Sequence, residues 1–313
     1  MPDDDDSSSA KAYLTGNLIY TESVTKTYYI TVVVEKVLYT GKTRYQRAGV
    51  VVTPDLGKVL LLDGITQLSV SDEYIYHDNL VHPIMLSHPN PRKVLIIGGG
   101  DGGTLREVLK YKSVEKATMV ELDPGVVDIC KKYLPEVNAG AFDDPRTNLI
   151  FDDGRKYIET TDEKYDIVLI DLTDPVGQAA KLFTKEFYMS VKNVLNEGGG
   201  MATQSESAFF YKNIFATIKK TIATVFKHVS STLAFMPSYG MLWAFTVASD
   251  YFNPAEISID VIKARYERNK LQTRYYHPKM HQAMFILPKD LEEFLEKNDL
   301  PISTDEKPVS IET

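Results

Sequence analysis

Hydrophobic and polar positions indicate a small sheet in the first part of the chain. From about residue 14 to residue 70, short runs rich in Val, Thr and Tyr, such as YYITVVV, AGVVVTP and KVLLLDG, are separated by Gly, Pro and Asp. This pattern is typical of β-hairpins, so it predicts an antiparallel sheet. The stretch SDEYIYHDNLVHPIM (71–85) predicts a helix with Ser71 or Asp72 as its N-cap, which connects the sheet to the rest of the chain.

A different pattern extends from Arg92 to about Ser249. Apolar runs that resemble strands alternate with stretches of helical periodicity; the runs are VLII, TMVEL, LIF, DIVLI, GMATQS and WAFTVAS. Such alternation predicts a parallel sheet flanked by helices, and therefore an α/β fold. The segment after about Asn253 is charged and rich in Tyr, and we treat it as a C-terminal extension.

Composition is that of an ordinary globular protein and narrows the possible partners. The 313 residues are 43% hydrophobic and 25% charged, which is enough for a sizeable core. The net charge of −8 disfavours nucleic acid and suits a cationic substrate, and the sequence predicts no membrane span. The opening MPDDDDSSS predicts a disordered acidic tail over residues 1–13 rather than a basic and apolar leader. The single Cys130 rules out an internal disulfide, so we expect a cytoplasmic protein.

The glycine-rich run VLIIGGGDGG carries the strongest functional signal. An apolar strand leads into a turn in which Gly98, Gly100 and Gly103 match G-x-G-x-x-G, a dinucleotide-binding signature. Such turns bind pyrophosphate through bare N–H groups and a positive helix end. Asp101 would repel a phosphate at this place and attract an amine. The turn therefore favours a nucleoside that carries a cation.

These patterns together predict the domain organisation. We expect a Rossmann-like, methyltransferase-type parallel-sheet domain over residues 81–313, which includes the C-terminal extension. A small antiparallel β-hairpin domain over residues 14–80 precedes it and is the expected oligomer contact, because its strand edges would be exposed.

Acidic positions near the next strands extend the nucleoside site. The run ATMVELD ends a second strand near Glu121, and an acidic residue there accepts hydrogen bonds from ribose hydroxyls in this topology. The run FDDGRKY follows another strand and places Asp153 and Gly154 where an adenine edge would lie. A free ribose diol is common to NAD and to adenosylmethionine-type ligands, so Glu121 alone leaves both open. Asp101 favours the sulfonium ligands.

Two carboxylates follow the strand YDIVLI. The strand ends at Asp171, and Asp174 follows before Pro175 stops any continuation. Ligands of open α/β sheets bind at the carboxyl ends of the strands. Two carboxylates on one loop beside a nucleoside site can bind a diamine and accept a proton from it. The alternative, in which both are solvated loop charges or helix caps, is disfavoured by Asp101 and Glu121.

Ordered motifs between about residues 40 and 250 resemble those of the polyamine aminopropyltransferases, the family that includes spermidine synthase. The motifs are RYQ (44–46), LLLDG with Gln67, DEYIYHD (72–78), GGGDGG, ELD with Glu121, DDG (152–154), DLTDP (171–175), LFTKEFY (182–188), Gln204 and PSY (237–239). This family transfers a 3-aminopropyl group from decarboxylated S-adenosylmethionine to a polyamine amine and releases methylthioadenosine. The resemblance therefore implies that decarboxylated S-adenosylmethionine is a co-substrate and that there is no prosthetic group and no metal.

The resemblance also implies roles for individual residues. It makes Asp171 the general base, Asp101 the partner of the aminopropyl ammonium and Glu121 the partner of the ribose hydroxyls. The implied nucleoside contacts are Gln46, Gly98, Gly100, Asp101, Glu121, Asp153, Gly154 and Gln178. The implied acceptor contacts are Tyr76, His77, Asp101, Asp171, Asp174, Gln204 and Tyr239.

Several positions depart from the family pattern. Asp78 stands where the family usually has Glu, and Gln178 stands at a position that is commonly Pro. The N-terminal region lacks a Trp that often borders the acceptor pocket, so we expect Tyr28 or Tyr29 to replace it. DLTDPVG, KLFTKEFY, VFKHV and PSYGMLW are also similar to thermospermine synthases. The acceptor is therefore open among putrescine, agmatine and spermidine, or a spermine-type synthesis, while the reaction stays the same.

Two other classes of function are weighed against aminopropyl transfer. A small-molecule methyltransferase would use intact adenosylmethionine, whose carboxylate Asp101 would face and repel. A catalytically silent homologue that acts in assembly is disfavoured by intact Asp101, Asp171 and Asp174. Family members are usually homodimers or homotetramers, so the resemblance implies such an assembly.

Four further positions have a structural explanation. His277 and His281 have i,i+4 spacing, but Pro278 lies between them and no acidic partner is evident, so we expect no metal site. Trp243, in a strand-like run, and Cys130, on the apolar face of a predicted helix, are expected to pack in the core.

Overall fold

The computed structural model describes residues 18–311, so the predicted tail over residues 1–13 lies outside the described residues. The chain forms two compact units, and the division falls between Ser71 and Asp72. The predicted division lay after residue 80. It differs because helix α1 (Glu73–Ser87) is almost entirely buried within the second unit, where it packs on strand 195–207 and helix 103–109.

The first unit consists of two antiparallel sheets, as predicted. One contains two strands and the other contains four; in chain order they are β1 (Leu18–Thr25), β2 (Tyr28–Val34), β3 (Lys36–Lys42), β4 (Arg47–Thr53), β5 (Gly57–Leu62) and β6 (Ile65–Ser69). A two-residue turn joins β5 to β6, and Asp63 and Gly64 both have positive φ, as the twist of such hairpins requires. Val34, Val51 and Val59 form the small core of this unit.

The second unit contains a seven-stranded sheet in the order β12-β13-β11-β10-β7-β8-β9. Five strands are parallel to one another, as the sequence predicts: β7 (Lys93–Gly98), β8 (Lys116–Glu121), β9 (Thr147–Phe151), β10 (Tyr165–Asp171) and β11 (Leu195–Ser207). Val94–Ile97 and Ile167–Ile170 are almost wholly buried, because helices cover both faces of a parallel sheet.

The expectation that WAFTVAS continues the parallel sheet is wrong. This run lies in β13 (Met241–Ser249), which is antiparallel to both β11 and β12 (His228–Met236). The sequence analysis had not predicted β12. Only residues 237–240 join β12 to β13, and a connection this short can only reverse the direction of the chain.

The helices of the second unit follow the strands closely. After α1 they are α2 (Gly103–Leu109), α3 (Pro124–Tyr133), α4 (Pro135–Asn138), α5 (Gly154–Thr160), α6 (Lys185–Asn193), α7 (Lys212–Ala223), α8 (Ile259–Asn269) and α9 (Lys289–Lys297). Asp72 precedes α1, but its carboxylate accepts a hydrogen bond from the Ser238 N–H rather than capping the helix. Cys130 is fully buried on α3, as predicted. Among the helices of residues 18–311, none combines the length and the apolar character that crossing a membrane requires.

The extension after Asn253 is tied to the rest of the second unit, because the Arg265 guanidinium donates to the Leu86 and Ser87 carbonyls of α1. His281 is buried there, and its two ring nitrogens lie 2.7 Å from the Tyr276 hydroxyl and 2.9 Å from the Pro254 carbonyl. Both nitrogens thus have protein partners. His277 instead caps a short 3-10 helix, Pro278–Met280, by accepting the Lys279 N–H.

Candidate active site

The glycine turn after β7 lies between the ends of two neighbouring strands. Gly98 and Gly99 have φ of 82° and 76°, and the Gly99 N–H donates to the Asp171 carbonyl at the end of β10. A Cβ on Gly98 would lie 2.1 Å from that carbonyl oxygen, and a Cβ on Gly100 would lie 3.1 Å from the Glu121 carboxylate. The glycines therefore allow the turn to fit between Asp171 and Glu121, at the carboxyl edge of the sheet.

Asp101 lies within this turn and contacts a buried histidine. Its carboxylate accepts the Gly103 N–H at 2.7 Å and lies 3.2 Å from His77 Nε2. The other ring nitrogen, Nδ1, lies 2.7 Å from Glu73, and Arg106 pairs with Glu73 at 2.9 Å. Burial opposes the charge of the imidazole, but Asp101 and Glu73 outweigh it and raise the His77 pKa well above its ordinary value. The site thus contains an imidazolium held between two carboxylates.

Asp171 ends β10 and is held in a fixed orientation. One carboxylate oxygen accepts the Tyr76 hydroxyl at 2.9 Å, and the other accepts the Thr104 hydroxyl at 2.6 Å. Burial, and then the charge of Asp101, raises the pKa of this carboxyl, while the hydrogen bonds and His77 lower it. Atoms of His77, Asp101 and Asp171 lie within 4.8 Å of one another. A carboxyl of raised pKa, aimed by two hydroxyls, suits a group that accepts a proton.

Asp174 forms a pair with Glu206, a residue that the sequence analysis missed. Glu206 is fully buried on β11, and its φ of 70° is unusual for a residue with a side chain. Its carboxylate oxygens have no hydrogen-bond partner of normal geometry among the described residues, although the nearby Ser207 N–H and Gln204 side chain lower its pKa. Burial raises the pKa of both carboxyls, and a proton on one lets the two hydrogen-bond to each other. The pair, in which Glu206 is buried and Asp174 is half-buried, therefore forms an acidic position without a cationic partner in the described part of the chain.

Gln204 supports the loop that carries Asp174. Its side-chain amide donates to the Leu172 carbonyl at 3.3 Å and lies 3.5 Å from the Thr173 carbonyl, and its side-chain oxygen accepts the Glu206 N–H at 2.9 Å. The side chain is almost fully buried. Gln204 thus connects the loop to the strained backbone at Glu206.

Tyr239 lies near the same carboxyls, on the turn between β12 and β13. Burial, and then Asp72, Asp174 and Asp171, raises the pKa of its hydroxyl well above the ordinary value. Its ring makes an edge contact with Trp243, at 5.0 Å between centroids. Trp243 is 8% exposed, which agrees with the predicted core position.

The predicted nucleoside contacts lie on several different elements of the chain. Burial raises the pKa of Glu121 to about 7, although its carboxylate accepts the Asp123 N–H. Asp153 is exposed and caps α5, and its carboxylate accepts two backbone N–H groups, those of Arg155 and Lys156. A Cβ on Gly154 would be 2.4 Å from the Ile97 side chain, so glycine is required where α5 meets β7. Gln178 is exposed in the short 3-10 helix Gly177–Phe183, and Gln46 belongs to the first unit.

Four residues that sequence reasoning missed surround the predicted ones: Glu73, Thr104, Arg106 and Glu206. The partners of the first three are set by packing, which no local motif indicates. Glu206 did offer a signal, because it is the only charge among residues 200–209, in an otherwise uncharged run at the carboxyl end of a strand.

A second buried acidic cluster stands apart from these residues. His82 Nε2 lies 3.2 Å from Asp78 and 3.0 Å from Glu107, and Lys110 pairs with Glu107 at 2.6 Å. Asp78 also accepts three backbone N–H groups from residues 274–276. Asp78 therefore connects α1 to the C-terminal extension. The cations and N–H groups around this cluster indicate an ion-pair network rather than a metal centre.

Comparison with known proteins identifies the family. Residues 73–258 match the Spermine/spermidine synthase domain, and residues 18–69 match the Spermidine synthase tetramerisation domain. A polyamine aminopropyltransferase of Sulfurisphaera tokodaii is 47% identical over 89% of this chain and 93% of its own. A second, from Korarchaeum cryptofilum, is 48% identical over 82% of this chain and 79% of its own.

Solved structures agree with this result. A spermidine synthase in complex with the transition state analogue AdoDATO matches with a TM-score of 0.84 and 38% identity, over 89% of this chain and 95% of that one. Spermidine synthase from Thermotoga maritima matches with a TM-score of 0.82 and 36% identity, over the same shares. The match to a tetramerisation domain supports an oligomeric protein. The chain therefore belongs to the polyamine aminopropyltransferases, the enzyme family of the spermine and spermidine synthases.

Proposed function

We propose that the enzyme transfers the aminopropyl group of decarboxylated S-adenosylmethionine to putrescine or a related polyamine, giving spermidine and methylthioadenosine. The observation that carries the proposal is the placement of Asp101 and Asp171. Both carboxylates lie at the carboxyl edge of the sheet, within 4.8 Å of one another, Asp101 inside the glycine turn and Asp171 beside it. One can hold the ammonium of the donor while the other serves the attacking amine.

The chemistry needs a neutral amine beside the carbon attached to sulfur. Asp171 takes a proton from the acceptor ammonium, and its orientation by Tyr76 and Thr104 supports this role. The nitrogen lone pair then forms a bond to the aminopropyl carbon, and the carbon–sulfur bond breaks. Its electron pair stays on sulfur, which becomes the neutral thioether of methylthioadenosine. Because the sulfonium is already a good leaving group, alignment by Asp101 contributes more than the proton transfer.

The remaining roles are assigned from the family resemblance. The Glu121 carboxylate accepts hydrogen bonds from the ribose hydroxyls, and its position beside the Gly100 backbone supports this assignment. We assign the other nucleoside contacts to Gln46, Gly98, Asp153, Gly154 and Gln178. The acceptor contacts are assigned to Tyr76, His77, Asp174, Gln204 and Tyr239, and we add Glu206 to them.

The paired acids Asp174 and Glu206 support a diamine as the acceptor. A second ammonium on the acceptor would supply the cation that this buried pair lacks among the described residues. Agmatine offers a guanidinium at the same place, and spermidine offers a secondary ammonium followed by a longer chain. The experiment described next compares putrescine, agmatine and spermidine as acceptors. Methyl transfer from intact adenosylmethionine is disfavoured, because that ligand's carboxylate would face Asp101.

The experiment incubates the protein with decarboxylated adenosylmethionine and, separately, putrescine, agmatine or spermidine, and identifies the products by mass spectrometry. We expect methylthioadenosine to form with each accepted amine and spermidine to be the main product from putrescine. A parallel reaction with intact adenosylmethionine should give no methylated amine. Methyl transfer, or no turnover with any amine, would contradict the proposal.

We further propose a homodimer or homotetramer formed through the first unit. Leu18, Ile19, Tyr28 and Tyr29 on β1 and β2 are each at least 44% exposed in the single chain, and such apolar strand surfaces are typical of interfaces. Light scattering after size exclusion distinguishes the two assemblies, and a monomer would contradict both. We also expect a cytoplasmic enzyme that binds neither nucleic acid nor membranes, which its negative charge supports.

A further inference from the structure

The last described residues, 299–311, return to the loops of the active site. We call them the C-terminal segment; they lie beyond the matched synthase domain, which ends at residue 258. The Ser303 N–H donates to the Thr221 hydroxyl, and the Ser303 carbonyl accepts the Lys185 N–H. The Ile311 N–H donates to the Pro175 carbonyl at 3.0 Å, next to Asp174. The segment is thus fixed at one end to α6 and α7. At the other end it is fixed to residues 172–176, the loop after β10 that carries Asp174, which we call the acceptor loop.

Asp305 makes the strongest contacts of this segment. Its carboxylate accepts two hydrogen bonds from the Arg155 guanidinium, at 2.7 and 2.6 Å, and one from the Thr184 hydroxyl at 2.7 Å. Its N–H donates to the Glu186 carboxylate at 3.0 Å. Hydrogen bonding from Arg155 lowers the pKa of Asp305, so the carboxylate stays ionised at neutral pH.

Arg155 in turn joins both sides of the active site. It directly follows Asp153 and Gly154, the residues assigned to the adenine, and its N–H is capped by the Asp153 carboxylate. Its guanidinium also donates to the Lys181 carbonyl, in the 3-10 helix that follows the acceptor loop. The fork geometry of the guanidinium therefore sets the spacing between the start of α5 and the end of the acceptor loop, and Asp305 fixes the fork.

A purely stabilising role does not account for this arrangement. The side chains of Arg155 and Asp305 are 20% and 38% exposed, and partly exposed ion pairs contribute little to overall stability. The segment is also anchored without this pair, because Val309 packs against the main hydrophobic core and Lys220 binds Asp299 and the Leu300 carbonyl. The specific effect of Asp305 is to fix, through Arg155, the positions of the start of α5 and of the acceptor loop relative to each other.

We propose that Asp305 is a positioning residue which acts through Arg155. It holds residues 152–154, the nucleoside loop, and the acceptor loop at the spacing that aminopropyl transfer needs. The inference rests on the proposed function for the roles of the two loops. Losing Asp305 removes the carboxylate that binds the two terminal nitrogens of the guanidinium and leaves Glu159 at Nε. The terminal nitrogens can then shift, so Lys181 and the loop before it lose their fixed distance from α5. The acceptor then binds to a less ordered site.

The test compares Asp305→Ala and Asp305→Asn with two matched controls. Glu159→Gln removes the other carboxylate that binds the Arg155 guanidinium, and Asp299→Asn removes an ion pair of the C-terminal segment that has no contact with either loop. Hydrogen–deuterium exchange reports the order of each segment, and steady-state kinetics reports acceptor KM separately from kcat. Asp305→Asn keeps the side-chain volume, so it remains informative if the alanine variant folds poorly.

We expect both Asp305 variants to raise exchange in residues 172–183, while exchange in β10 stays at the wild-type level. Acceptor KM should rise by about threefold to tenfold, as expected for a partly exposed charge-assisted pair, with kcat changed by less than about twofold. The two controls should leave exchange and KM near wild type. Unchanged exchange in 172–183, or an equal rise throughout the sheet, overturns the positioning role. If wild type transfers no aminopropyl group, the proposed function fails, whereas the exchange result still shows whether Asp305 orders the loop.

Discussion

Replacing Asp171 by Asn removes the proposed base and nearly keeps the shape of the side chain. The amide cannot accept a proton from the acceptor amine. In wild type the Tyr76 and Thr104 hydroxyls each donate a hydrogen bond to one carboxylate oxygen, and the NH2 group of Asn cannot accept one of these two bonds. Loss of a general base lowers the rate by about 10²–10⁴-fold. We expect a fall in kcat of at least about 10²-fold, which corresponds to about 2.7 kcal/mol of barrier.

The structure limits how much of this loss can come from misfolding. Burial raises the Asp171 pKa, which means that the fold disfavours the ionised carboxylate; a neutral amide removes that cost while it loses one hydrogen bond. The two effects oppose each other. We therefore expect the midpoint of thermal unfolding to change by no more than about 3 °C, or about 1 kcal/mol for a domain of this size.

The assay measures kcat across pH in the variant and in wild type, together with the affinity for methylthioadenosine. The variant should recover activity as pH rises, because more of the acceptor arrives deprotonated, and its binding of methylthioadenosine should be nearly unchanged. Asp174→Asn serves as the comparison and should act mainly on the acceptor KM. Near-full turnover of Asp171→Asn at neutral pH, with a large loss in Asp174→Asn, would refute the assignment and move the base to Asp174.

Three further predictions test the rest of the site. Asp101→Asn should weaken binding of decarboxylated adenosylmethionine by about 10- to 100-fold, which is the effect of losing a charge-assisted hydrogen bond. Binding of methylthioadenosine should not change. Equal losses of affinity for the two ligands in titration calorimetry would mean that Asp101 has a structural role. Because the Glu121 pKa is raised to about 7 and the ribose hydroxyls donate to the ionised form, affinity for methylthioadenosine should increase as pH rises through 7, with release of a proton. Glu121→Gln should abolish that pH dependence. If the affinity of the variant for methylthioadenosine still changed with pH, Glu121 would not be the titrating group. Glu206→Gln should raise the KM for putrescine by about tenfold or more and leave methylthioadenosine affinity unchanged; a KM near wild type would place the second ammonium elsewhere.

Local patterns were sufficient for the central strands but not for the edge of the sheet. Val94–Ile97 and Ile167–Ile170 are continuous apolar runs, as burial under helices on both faces requires, so the sequence predicts them directly. In contrast, β12 contains Ser230, Ser231 and Thr232, which interrupt its apolar pattern, and the sequence analysis missed it. The direction of β13 depends on the short connection from that missed strand, and for this reason the parallel prediction failed there.

The candidate site divides in the same way, and Glu206 shows why. Residues within a recognisable motif, such as Asp101 and Asp171, could be selected because the motif fixes both their residue type and their place at the sheet edge. Glu206 takes its meaning only from the fold: the strained backbone at φ of 70° and the loop held by Gln204 bring its carboxyl to Asp174. A protein tolerates a buried acid pair and a strained residue only where the surrounding structure imposes them, and such costs are concentrated at functional sites. The unfavourable burial of Glu206 beside Asp174 therefore supports the proposal that a cationic group of the acceptor binds there.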